Sequence, residues 1–438
     1  MKKYIFFVVG VMCTLLSHTA YAIDLNKSDA NIIGHVLEKK TGEHLPYMTV
    51  ALKGTTIGTM TDGTGHYFLK NLPEGEFILS VSAVGYKPQE RKVTLKRGKT
   101  LEENFELEED MVALDGVVVT ANRNETARRL APTLVKVVTP KLFDMTNSHT
   151  LSQGLVFQPG VRVENDCQNC GYSQVRINGM DGKYTQILID SRPIFSALAG
   201  VYGLEQIPAN MIERVEVVRG GGSALFGSSA IAGTVNIITK EPLRNSGSFA
   251  HSISNFDGSG SFDNNTTLNL SLVSSDNKMG AYIYGQNRHR SAWDSNGDSF
   301  SELPKLKNQT VGVNAYYRLS PYSKLNLEYH HMEEFRRGGN RFDLPPHIAE
   351  DANLNGSGEP GLVEQIEHSI NTGGLKFSAF SKDQKHAFNA YASAQHIVRD
   401  SYYSAYGHTT DFTGVLGAQY IYHFDKLFFM PSDLTGGV

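Results

Sequence analysis

The chain has 438 residues, enough for several domains that each bury a core of their own. A formal charge of −4, with 20% of residues charged, lacks the basic excess with which nucleic-acid-binding proteins meet phosphate, so no nucleic-acid partner is expected. Forty-two glycines, with 20 Tyr and 22 Phe against a single Trp, fit a turn-rich, mainly β protein.

At the N-terminus, Lys2 and Lys3 precede an apolar run from Tyr4 to Leu16, and Ala20-Tyr21-Ala22 has the small-x-small form of a cleavage site. The run is too short to span a bilayer comfortably, so residues 1–22 are expected to be a cleaved signal peptide. Cys13 lies inside that run behind Met12, too large a neighbour for a lipidation site. No later segment approaches the ~18 uninterrupted apolar residues of a membrane helix, so an exported chain of this kind is soluble or crosses a membrane as a β-barrel. Beyond Cys13 only Cys167 and Cys170 remain, too few for a disulfide-rich scaffold.

Residues 32–107 read as a β-sandwich. Strand-like runs at Ile32–Glu38, Met48–Leu52, Ile57–Thr61, Tyr67–Leu69, Glu76–Val84, Glu90–Leu95 and Leu101–Leu107 are separated by turn signals such as Asp62-Gly63-Thr64-Gly65 and Pro73-Glu74-Gly75. The stretch GHVLEKKTGEHLPYMTVALKGTTIGTMTDGTGHYFLKNLPEGEFILSVSAVGYKP resembles the carboxypeptidase regulatory-like domain, a small prealbumin-type sandwich often found ahead of outer-membrane receptors. That family name does not imply peptidase activity. The metal-binding pattern H-x-x-E occurs at His35/Glu38, His330/Glu333, His331/Glu334 and His347/Glu350, and four occurrences in one chain point to chance. At least His330/Glu333 and His331/Glu334 fall on an expected strand, where residues three apart face opposite sides and share no metal. No enzyme is expected, and no cofactor.

Residues 108–121 form an acidic linker that ends in Asp115-Gly116-Val117-Val118-Val119-Thr120-Ala121. A β-branched triplet between polar segments has nothing local to pair with and suits a peptide added to another sheet's edge. A last sandwich strand, or a merely apolar linker, fits the same letters.

Residues 122–241 alternate short apolar runs with glycine-dense turns. Gln158-Pro159-Gly160-Val161, Val175-Arg176-Ile177-Asn178-Gly179, Ile187-Leu188-Ile189-Asp190, Ile207-Pro208 and Ile212-Glu213-Arg214-Val215-Glu216-Val217 are followed by Val218-Arg219-Gly220. Ser223-Ala224-Leu225-Phe226-Gly227 and Gly233-Thr234-Val235-Asn236-Ile237-Ile238-Thr239 close the segment. Glycines at 220–222, 227 and 233 permit positive φ and close backbone approach. A P-loop would need Lys after Gly227, where Ser228 stands, and a dinucleotide fingerprint from Gly220 would need Gly at Leu225.

In this order the motifs resemble the α+β plug of TonB-dependent outer-membrane receptors, nearest in pattern to cobalamin and ferric-siderophore receptors. The resemblance implies that residues 115–121 are a TonB box, pulled by the TonB–ExbB–ExbD complex, and that Arg176 and Arg219 lock the plug to glutamates of the barrel. It also implies ligand-facing plug loops at Cys167, Cys170, Tyr172, Asn178, Asp181, Tyr184, Phe195 and Tyr202. Two departures stand out: Ser191 follows Asp190 where the family usually has Gly, and Asn178 intervenes where Arg-Gly is more often a direct pair. Three readings of Cys167 and Cys170 stay open: a loop disulfide, a soft-metal contact helped by Asp166 or His149, and a bare exposed pair.

From residue 245 to 438 the pattern becomes strands of about ten residues with one apolar face. Leu268, Leu270 and Leu272 alternate with Asn269 and Ser271; Val311, Val313, Ala315, Tyr317 and Leu319 alternate with smaller or polar residues; so do Leu325, Leu327 and Tyr329. Short turns at Asp276–Lys278, Ser320–Ser323 and Ser381–Lys385 alternate with long polar connections at Ser291–Asn308 and Arg336–Glu367, the signature of periplasmic turns and extracellular loops. Tyr402, Tyr403, Tyr406, Phe424, Phe428 and Phe429 suit interfacial girdles or ligand-facing loops. The length allows about eight strands at ~20 residues each, against the twenty-two of the family barrel, and the final Gly436-Gly437-Val438 lacks a terminal aromatic. A partial barrel is therefore expected.

These readings imply an outer-membrane receptor, in contact with lipid, that binds and imports a small chelate. A ferric siderophore or cobalamin comes first and haem next, with His289, His347 and His408 too sparse to specify haem. An oligosaccharide importer of the starch-utilisation type and a surface adhesin are the alternatives.

Overall fold

The computed structural model describes residues 30–46, 48–62, 64–83, 86–109, 117–118, 126–127, 135–167, 172–193, 207–222, 226–227, 229–383, 385–428 and 430–438. The expected signal peptide therefore lies outside the described residues, as do Cys170, Phe195, Tyr202 and, of the 115–121 segment, Asp115, Gly116, Val119, Thr120 and Ala121.

Alternating apolar residues close the first domain. In Gly75–Ser82 the side chains of Phe77, Leu79 and Val81 are buried while Ile78 and Ser80 are partly exposed, so the strand buries one face. That strand sits in a sheet ordered Gly58–Met60, Thr49–Leu52, Gly75–Ser82, Gln89–Leu95. The facing sheet centres on Ala30–Glu38, which pairs antiparallel with His66–Leu72 and parallel with both Thr100–Glu102 and Phe105–Leu107. The single strand expected over Leu101–Leu107 is thus two. The break falls at Asn104, whose side-chain Oδ1 takes the place of a backbone acceptor for the His35 N–H at 3.0 Å.

The valine segment has a local partner after all. Val117–Val118 pairs antiparallel with Thr126–Ala127 in a separate two-stranded sheet. A ladder of two residues is marginal on its own.

The central domain is a five-stranded sheet ordered Val135–Val138, Ile212–Arg219, Gly233–Thr239, Thr185–Ile189, Arg192–Pro193. Two short helices, Pro140–Met145 and Leu151–Leu155, pack on it through Phe143, Leu151 and Leu155. Val161–Cys167 and Tyr172–Ile177 form a hairpin beside it.

The wall is one antiparallel sheet of nine strands in sequence order, from Ser246–Asn255 to Met430–Gly437. That is one more than the length estimate, because the last hairpin turns at Phe428 (φ 59°) and returns a strand of eight residues. Strands also run longer than about ten residues, up to 22 in Tyr406–Leu427, since pairing continues beyond the apolar band into the hairpins.

Burial in the wall is inverted relative to a soluble protein. Leu268, Leu270, Leu272, Val311, Tyr317, Leu319, Leu327 and Leu416 are exposed, while Asp263, Asn265, Gln286, Arg288, Asn308, Thr310, Glu334 and Arg336 are buried. Such a surface is stable where hydrocarbon, not water, lies outside, as in a transmembrane barrel. On the inner face tyrosines cover glycines of the next strand, Tyr284 over Gly312 and Tyr391 over Gly417 in direct register.

The sandwich rests on the short-turn end of the wall. Thr56 N–H donates to the Pro321 carbonyl at 2.8 Å, Arg318 Nε donates to the Thr56 carbonyl at 2.8 Å, and Tyr322 packs against the sandwich core. Arg318 also donates to the carbonyl of Asn277, so one guanidinium ties two turns and the sandwich together.

Candidate functional site

The central domain's own sequence does not supply all of its core. Tyr282 and Tyr284, from wall strand Met279–Arg290, are buried with Ile207, Met211, Ile212 and Val235 of the central sheet. The Tyr282 hydroxyl donates to the Asn210 carbonyl at 2.9 Å, and the Asn210 side chain donates to Asn269 Oδ1 at 2.9 Å and to the Gly285 carbonyl at 3.2 Å. Nearby the His149 ring meets Ser252 Oγ at 3.2 Å, and Lys324 pairs with Glu241 at 3.0 Å. The contact is mixed, with an apolar centre and a rim of hydrogen bonds and one ion pair.

At the far edge of the sheet lies the most buried charge pair between domain and wall among the described residues. Arg192, 5% exposed, ion-pairs with Glu328 of wall strand Ser323–Gly339 and lies 3.6 Å from Asp190. Gly374 of the next wall strand makes room: a Cβ there would come within 2.6 Å of both Arg192 Nη1 and Glu328 Oε1. Arg192 is carried on a two-residue hairpin in which Leu188 pairs with Pro193 and Ile189 with Arg192. Its turn residues Asp190 and Ser191 both have positive φ, 47° and 66°. Tight hairpins require this geometry, and glycine usually supplies it. Here Asn236 does so instead, accepting the Ser191 N–H at 2.9 Å and donating to Ser191 Oγ at 3.0 Å. Asp190 is fixed by Thr239, through its N–H at 3.0 Å and hydroxyl at 2.7 Å. The missing glycine is thus compensated by the Asn and the final Thr of Gly233–Thr239.

The two arginines expected to lock the domain to the wall have nearer company. Arg176 ion-pairs with Glu164 across its own hairpin and with Asp181 at 3.2 Å. Arg219 lies over Gly160, where a Cβ would fall 2.5 Å from its Nη1 and where φ is +83°, so the Pro-Gly turn before Val161 leaves space for that guanidinium. Of the expected ligand-facing residues, Cys167 ends the strand Val161–Cys167 and pairs in register with Tyr172. Asn178 takes positive φ (54°) in the turn that follows Tyr172–Ile177. Asp181 is committed to Arg176, and Tyr184 packs at the edge of the apolar core. His149, offered as a helper for the cysteines, faces Ser252 of the wall instead.

The H-x-x-E pairs do not assemble. His331 meets Asn371 at 2.9 Å, Glu334 pairs with Arg336 at 2.8 Å, His347 meets the Tyr406 hydroxyl at 3.0 Å and Glu350 accepts from Tyr402 at 2.7 Å. Sequence reasoning missed Arg192, Glu328, Asn210 and the two buried tyrosines. Each acts across elements far apart in the chain, and only Asn236, fixed inside a motif, carried a readable signal.

Residues 127–234 match the family described as the TonB-dependent Receptor Plug Domain, and residues 32–119 match the CarboxypepD_reg-like domain. A relative from Vibrio vulnificus strain YJ016, named Vitamin B12 transporter BtuB, is 32% identical over 229 residues, which is 45% of this chain and 37% of the relative. A protein of the same name from Photobacterium profundum is 37% identical over 128 residues, 28% of this chain and 20% of its own length. Among solved structures, the siderophore receptor PirA from Acinetobacter baumannii aligns with a TM-score of 0.58 at 20% identity, over 71% of this chain and 48% of its own. The alcaligin outer-membrane receptor FauA from Bordetella pertussis aligns with a TM-score of 0.55 at 15% identity, over 73% of this chain and 49% of its own. The chain therefore spans about half or less of the length of these relatives, and at such identities the solved structures speak for the fold.

Proposed function

We propose that this chain, which belongs to the TonB-dependent receptor family, serves the energy-coupled import of a scarce metal chelate, a cobalamin or a ferric siderophore. The observation that carries the reading is the seat of the plug: a folded domain rests on the polar face of a wall whose apolar face points outward. A stopper of this kind has a use only where something must pass it. Relatives of the family are outer-membrane β-barrels; residues 1–22 would export the chain to that membrane and leave the sandwich on the short-turn, periplasmic side.

The layout suggests how a pull would act. Residues 115–121 are the proposed contact for TonB, itself driven by ExbB and ExbD, through strand addition to the valines. The first strand of the five-stranded sheet after that segment, Val135–Val138, is an edge strand held by four residue pairs to Ile212–Arg219. Arg192, with its buried partner Glu328, anchors the opposite edge. Force entering at residue 118 would load the edge strand first and leave the anchored side in place.

Val118→Pro removes a backbone donor from the segment that TonB would pair with. Uptake of labelled cobalamin or ferric siderophore should fall to the level of a deletion strain while surface binding persists, and retained uptake would refute the coupling. Growth of the deletion strain with cobalamin or iron limiting then separates the two ligands.

A further inference from the structure

We propose that the sandwich domain holds one divalent, imidazole-preferring metal ion, with zinc as the reference, on His35, His44 and His66. The proposal is independent of the transport reading. His35 and His66 stand directly opposite each other on the outer face of the antiparallel pair Ala30–Glu38 and His66–Leu72, and His44 arrives from the following loop. The three ring centres form a triangle with sides of 4.9, 5.2 and 5.8 Å. A tetrahedral ion ~2.1 Å from a nitrogen of each ring sets the ring centres about 5 Å apart, so the triangle already has the size of one face of such a site. The nitrogens of the three rings do not yet converge on one point, so ligation requires the His35 and His44 side chains to turn towards His66.

The polar surroundings support ligation. Thr64 Oγ1 donates its one proton to Asp62 Oδ1 at 2.7 Å, so at its 3.1 Å contact with His66 Nδ1 it accepts. That fixes the His66 proton on Nδ1 and leaves the Nε2 lone pair free. Chains of this form, running from carboxylate through an intermediary to imidazole, orient metal-bound histidines. Asp62 Oδ1 also accepts the backbone N–H groups of Thr64 and His66, at 2.8 and 3.0 Å, which holds the turn. Gly65 lets His44 in: a Cβ there would fall 2.8 Å from the His44 Cβ. The ring nitrogens of His35 and His44 have no hydrogen-bond partner among the described residues. His44 and His66 are exposed, so the fourth position is open to water or to a donor from a docked partner. Three nitrogen donors select zinc, copper or nickel over calcium or magnesium. Bound, the ion would staple the loop around His44 to the sheet.

Zinc titration of the purified chain by calorimetry tests this, with cobalt absorption in the visible as an independent report of tetrahedral nitrogen ligation. One equivalent is expected. His44→Ala and His66→Ala, both at exposed positions and therefore compatible with folding, should each weaken zinc at least about 100-fold, and Thr64→Val about 10-fold with unchanged melting of the metal-free chain. Asp294→Asn, in the acidic loop of Asp294, Asp298 and Glu302, and Cys167→Ser should leave the titration unchanged. Absence of saturable zinc binding, or binding that survives the double variant His44→Ala/His66→Ala, would overturn the proposal.

Discussion

The sandwich and the wall use the same two-residue alternation and arrive at opposite surfaces. In the sandwich Leu79, Val81 and Val93 are buried and the intervening residues meet water. In the wall Leu416 is 81% exposed while Gln286 and Arg288 are buried. Periodicity therefore identifies a strand with two unlike faces but does not say which face is inside. That is decided by what lies beyond each face, namely a second sheet in one case, and in the other a plug within and hydrocarbon without.

Substitutions at three points of the molecule break the comparison. The largest effect is expected at the seat: Arg192→Met leaves Glu328 as an unpaired buried charge and should cost about 3–5 kcal/mol in urea unfolding of the plug. The double variant Arg192→Met/Glu328→Leu should recover most of that loss. Next, Leu79→Ala in the sandwich should cost about 2–5 kcal/mol in urea unfolding, because it opens a cavity between two sheets. Leu416→Ala should be close to neutral by the same measurement in detergent, whereas Leu416→Arg should cost about 2–4 kcal/mol in a bilayer if the residue lies near the midplane.

The smallest effect concerns charge at the sandwich surface. Lys39 and Lys87, at 2.5 and 3.1 Å, hydrogen-bond the Glu108 carboxylate and lower its pKa from 4.5 to about 2. The stability this adds is fully present above pH 4.5 and is lost as pH falls towards about 2. Glu108→Gln should lower the sandwich's urea midpoint slightly at neutral pH and leave it unchanged near pH 2, which flattens the limb between about pH 5 and pH 2. The change is small because exposed pairs contribute little.

Much of this was legible in the sequence because it is local. The leucines of 268–272 announce a strand with an apolar face, and the ordered motifs from Gln158 to Thr239 announce the plug. What was not legible depends on residues brought together by the fold. Arg192 finds Glu328 136 positions away, and Tyr284 belongs by sequence to the wall and by packing to the plug. Ser191 looked like a departure from the turn until Asn236, 45 residues on, supplied what glycine lacks. His35 was read with Glu38, three residues away, whereas its neighbours in space are His44 and His66. The valines of 117–118, read as unpaired, have a short partner in Thr126–Ala127.

Under the proposed function, a pull from residues 115–121 peels the edge strand Val135–Val138 off the plug sheet. Val135 and Val218 are directly opposite and buried against each other, within the reach of a disulfide. In the variant Val135→Cys/Val218→Cys, oxidation should abolish uptake without weakening ligand binding, and a reductant should restore it, while the parent chain responds to neither treatment. Unimpaired uptake with the cross-link formed would contradict the account.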